Sequence, residues 1–74
     1  MKATEALRKV MELKNVRPAE LCGRLGIKMN VLSERFKQEN ISVAKLNDMM
    51  KVMDYKIVLL PREARLPEGG FEIE

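Results

Sequence analysis

Pro18 and Gly26 bracket a helix with room for only about two turns. Proline is tolerated at the first helical position, where its fixed φ is already helical and its missing N–H has no intrahelical partner to lose. Glycine just past the last turn supplies the left-handed residue that closes a helix. Between these two, Ala19, Leu21, Cys22 and Leu25 provide the apolar positions. The apolar Ile27 follows at once, and Lys28 to Gln38 reads as a further helix. Two helices this short cannot enclose a core alone. They require helices before and behind them.

The flanks supply both. Ala3, Ala6, Leu7, Val10 and Leu13 recur at helical spacing, with Thr4 as a candidate N-cap and Asn15 as a stop. Ser42 is a good N-cap for a fourth helix carrying Val43, Leu46, Met49, Met50 and Met53, and Asp54 ends it. The methionines are expected to fill the core, with one member exposed. At Tyr55 the period changes from 3.6 to 2. Tyr55 to Leu60 is rich in β-formers and is halted by Pro61. Pro67-Glu68-Gly69-Gly70 is a turn signal, and the alternating Phe71 to Glu74 predicts a second short strand able to return as a hairpin. The expectation is a mostly α domain over 1–54 with a β-strand or hairpin extension over 55–74.

Composition narrows the function classes. A chain of 74 residues makes one domain at most, and it buries only roughly 60% of its unfolded surface. Its one cysteine, Cys22, can form no intramolecular disulfide. It has no histidine, so the usual zinc sites and the commonest general base are both missing. We therefore expect no cofactor and no enzyme. The longest apolar run, Ile57 to Pro61, is too short to cross a bilayer. No apolar stretch follows Met1 to Thr4, so no signal peptide is expected and the cytoplasm is the expected location.

Charge is unevenly spread. Residues 1–62 carry thirteen Lys/Arg against seven Asp/Glu, a net +6, whereas 63–74 carry one Arg and four Glu, a net −3. A basic body with an acidic tail suits a polyanion partner; a solubilising excess of lysine is the plainer alternative.

On a wheel of about 100° per residue, Leu32 and Phe36 share one face of the third helix. Asn30, Ser33, Glu34 and Lys37 share another, and Met29 lies between. The run from Pro18 to Arg35, with a small residue at Cys22, Leu25-Gly26-Ile27 at the turn and Leu32-Ser33 in the following helix, resembles the helix-turn-helix of the Cro/repressor type. This is the XRE family of lambda-repressor-like DNA-binding domains. The resemblance covers residues 3–54. It implies a four-helix DNA-binding domain whose third helix enters the major groove, with Met29, Asn30, Ser33 and Glu34 at base edges.

Phosphate contacts fit Arg17 and Lys28 at the helix starts, and Lys37, Gln38, Asn40 and Lys45 around the third-to-fourth junction, with Arg35 beside them. The pattern departs from the family at several points. Arg17-Pro18 stands where Ser or Thr followed by Gln is common. Lys28 replaces a common Ser or Thr cap. Glu34 needs a cytosine amino group, Arg35 or Lys37 to offset its repulsion from phosphates. Tyr55 to Leu60 replaces a fifth helix. Cys22 reads as a small buried thiol at a close helix crossing.

Related small antitoxins and repressors carry a C-terminal strand that pairs across a two-fold axis. By that likeness Tyr55, Ile57, Val58, Leu59 and Leu60 would form a homodimer interface; an intrachain hairpin with 71–74, folded onto the first or fourth helix, is the alternative. The expected function is a sequence-specific, dimeric DNA-binding transcription regulator such as a repressor, acting on an inverted repeat in double-stranded DNA. The second reading is a protein-interaction module, most specifically an antitoxin whose strand or acidic tail binds a toxin.

Overall fold

The computed structural model describes residues 1–74 and contains four helices: α1 Ala3–Leu13, α2 Pro18–Leu25, α3 Met29–Lys37 and α4 Val43–Lys51. Local chemistry sets most of the boundaries. Pro18 opens α2 after an extended Arg17, and Gly26 closes it at φ 69° with its amide donating to the Cys22 carbonyl. Asn15 at φ 54° and Asp54 at φ 60° turn the chain out of α1 and α4. Their short polar side chains tolerate the left-handed region better than other non-glycine residues do. Ser42 caps α4, its Oγ accepting the Lys45 amide at 3.2 Å. Thr4 caps nothing. α1 begins two residues earlier than a Thr4 cap would place it, with Lys2 at the N-cap and no side-chain bond there.

α4 packs against α1 and α2, and α2 against α3. The core is apolar throughout: Ala6, Leu7, Val10 and Met11 of α1, Leu21 and Cys22 of α2, Leu32 of α3, and Leu46, Met49 and Met50 of α4. Val16 and Met53 join it from the segments that follow α1 and α4. None of the three C-terminal methionines is exposed. The turn after Lys51, held by the Met53 and Tyr55 amides on the Met50 carbonyl, folds Met53 back onto the core. Leu13 and Val43 point outward, because each lies at a helix end beyond the packed layer. Arg24 ties α2 to the end of α4, donating to the Val52 carbonyl at 2.9 Å while its other nitrogen pairs with Glu20 at 2.6 Å. No helix is long and apolar enough to cross a membrane.

The strand expected over 55–60 does not form within the chain, and neither does its hairpin with 71–74. The tail takes another course. Turns closed by Ala64 on Pro61 and by Gly70 on Pro67 redirect it, and the Tyr55 hydroxyl donates to the Gly69 carbonyl at 2.9 Å. Phe71 then packs on the core beside Lys9, Glu12 and Leu13 of α1. The last residues meet the other terminus: the Glu74 amide donates to the Met1 carbonyl at 3.0 Å, and the Met1 ammonium to the Glu72 carbonyl at 3.3 Å. A two-stranded ribbon is marginal in water, so half-burying one aromatic ring against α1 outweighs it. Ile57 to Leu60 are left exposed.

Candidate nucleic-acid interface

α3 is held to the body along one line. Leu32 is its only fully buried residue, and Phe36, half-buried, packs beside it against the core. Burying a leucine fully is worth about 1.5–3 kcal/mol, so this single side chain does most of the anchoring. The opposite side of the helix is left to solvent. Asn30 and Glu34 are exposed there, Ser33 is exposed on the flank beside Phe36, and Met29 is 49% exposed although its Sδ touches the Cys22 Sγ.

The expected phosphate contacts lie at helix starts, in the last turn of α3, in the loop after it and in α4. Arg17 and Lys28 occupy the N-cap positions of α2 and α3, both with extended backbone, and neither helix start has a side-chain cap. Their side chains reach solvent, as do those of Lys37, Gln38, Asn40 and Lys45. Arg35 is half-buried. Lys37 lies 3.8 Å from Glu34, an exposed pair of little energetic weight. It lowers the cost of a carboxylate on this face.

One cation near α3 has no signature in the local pattern. Arg8 of α1 places its guanidinium 4.4 Å from the centre of the Phe36 ring. Together they border an open groove of about 520 Å³, floored by Met11 and Leu32 and edged by Pro18, Met29, Ser33 and Lys37. Nothing in the period of α1 says which of its outward cations meets an aromatic ring of α3, so sequence reasoning passes Arg8 over.

The residues expected at a dimer interface divide. Tyr55 is committed within the chain, through Gly69 and through the Lys14 ammonium 5.8 Å from its ring centre. Ile57, Val58, Leu59 and Leu60 are free, and Leu59 is 97% exposed. Cys22 is buried and forms no disulfide. No group of three or more His, Cys, Asp or Glu side chains is placed to hold a metal.

Fold and site together define a small four-helix domain with one thinly anchored helix, bordered by cations, and an apolar segment without a partner. No family model, curated protein or solved structure matches the chain.

Proposed function

We propose that the chain is a sequence-specific DNA-binding transcription regulator, with α2 and α3 as a helix-turn-helix and α3 as the helix that reads bases. The observation that carries this reading is the anchoring of α3. One line of contact, Leu32 with Phe36, leaves Asn30, Ser33 and Glu34 exposed, with exposed cations at both ends of α3, Lys28 and Lys37, and Arg17 at the start of α2. An α-helix about 10–12 Å across matches a major groove about 12 Å wide. Asparagine pairs with adenine through two hydrogen bonds, glutamate accepts from the cytosine amino group, and serine serves either base. The exposed cations supply affinity by displacing condensed counterions. The protein acts by occupying an operator, which excludes or recruits the transcription machinery, and it performs no covalent chemistry.

The free Ile57 to Leu60 segment favours a homodimer, whose two α3 helices would read an inverted repeat. The same exposure also favours the second reading, an antitoxin-like module whose apolar segment meets a different protein. Selection of bound duplexes from a random pool tests the choice. Enrichment of an inverted repeat with half-sites about one helical turn, or 34 Å, apart is the expected result. Recovery of unselected sequence would remove specific reading and leave the interaction module.

A further inference from the structure

Among the cations near α3, Arg8 is the one held over an aromatic ring. The ion pairs of the chain join Lys2 to Glu39, Arg24 to Glu20 and Lys37 to Glu34, and none includes Arg8. Its guanidinium instead lies over Phe36. A ring under one face of the guanidinium restricts its rotamers but leaves the in-plane N–H donors free. The donors thus stay available while the side chain is already oriented.

The rim of the groove beside it, above an apolar floor of Met11 and Leu32, suits an anion. Its charged edges are Arg8 and Lys37, both cationic, and Ser33 adds a hydroxyl on the α3 side. Pro18 at the same edge has no amide hydrogen, so the donors there must be side chains. The weak Glu34 pairing of Lys37 is easily surrendered to a stronger anion. A helix lying in the major groove has a sugar-phosphate backbone along each flank, and phosphate contacts set its register.

We infer that this groove seats one backbone phosphodiester of duplex DNA, with Arg8 as its principal cation and Phe36 as the residue that positions Arg8. The inference rests on α3 being the DNA-reading helix. The guanidinium fork can hold two phosphate oxygens at once, which a lysine ammonium cannot do with the same geometry. Lys37 and Ser33 close the seat from the α3 side.

The test is equilibrium binding of the full chain to duplex DNA, followed by fluorescence anisotropy between 50 and 200 mM salt. Arg8 is exposed, so Arg8→Gln leaves the fold intact, which circular dichroism verifies. That variant should reduce the salt slope by about 0.9, so that wild type loses about threefold more affinity than the variant across this range. The reduction should be equal on selected and random duplexes. Phe36→Leu should weaken binding more in the wild-type background than in the Arg8→Gln background, the difference being the part of its effect that acts through Arg8. A wild-type slope for Arg8→Gln, with wild type binding well, would overturn the Arg8 seat alone. Failure of wild type to bind any duplex would overturn the DNA-reading helix together with it. Inorganic phosphate, titrated into the DNA-free protein and followed by amide shifts at Arg8 and Ser33, should not saturate. Saturation at submillimolar phosphate would make this a free-anion site and overturn the backbone assignment.

Discussion

The Sγ of Cys22 lies 3.3 Å from the Sδ of Met29, joining the buried side of α2 to the first residue of α3 across the Gly26 turn. The thiol is a weak donor and the thioether a weak acceptor, so what matters here is shape rather than bond strength. A small side chain at 22 allows α3 to approach. A polarizable one at 29 fills the gap while leaving half its surface outside.

Cys22→Ser tests this joint. The hydroxyl would face sulfur where it needs a stronger acceptor, and an imperfectly paired buried hydroxyl costs about 1–3 kcal/mol. The urea midpoint should fall with an unchanged slope. Because the native thiol is buried, DNA binding by the folded wild-type protein should be the same under oxidising and reducing conditions. Rapid labelling of the native thiol with concurrent loss of binding would make Cys22 a switch.

Asn30 is exposed on α3 and bonds to nothing in the chain through its side chain. On the proposed reading it contacts a base. Asn30→Ala should then cost about 1–3 kcal/mol at one operator position and relax the preference there. Titration of the variant against single-base operator variants measures this. Equal losses on operator and random duplex would assign Asn30 to the backbone.

Lys28 at the N-cap of α3 and Lys37 in its last turn flank the same face. Replacing either with alanine should weaken binding to all sequences and lower the salt slope by about one unit, and the double variant by about two. Both side chains are exposed, so thermal unfolding should barely move. A double variant with the wild-type slope would place both lysines outside the interface.

The helices were legible because their punctuation is local. Pro18, Gly26, Asn15, Asp54 and Ser42 each act within one turn of themselves, and the structure uses all five as the sequence implies. Outward or inward facing was less legible at helix ends, as Leu13 and Val43 demonstrate, because a periodic pattern does not say where the packed layer stops. The tail was least legible. Period-2 residues from 55 to 60 and 71 to 74 suggest a ladder, but the competitor is a contact between Phe71 and α1, distant in sequence and invisible to local pattern. The candidate site divides in the same way. The outward face of α3 follows from its wheel, whereas Arg8 over Phe36 arises only when α1 and α3 are folded together.

Leu59 offers the sharpest test of the proposed dimer. It is 97% exposed in the single chain, so a substitution there removes almost no contact from the protomer. Its neighbours Ile57, Val58 and Leu60 are exposed as well, and an extended apolar segment with free backbone donors is a natural partner for its own two-fold mate. Tyr55, held by Gly69, would fix where that pairing begins, and Pro61 would end it by withholding a donor. Leu59→Arg would bring like charges together across the axis, and Leu59→Pro would remove a ladder donor. Both variants should keep the wild-type helical signal and sediment as monomers at micromolar concentration, where the wild type sediments as a dimer. Losing the second half-site should reduce affinity for the inverted repeat by roughly 100-fold or more, with half-site affinity unchanged. A monomeric wild type, or a Leu59→Arg chain that still dimerises, would remove this segment from any two-fold interface and leave it to a partner of another kind.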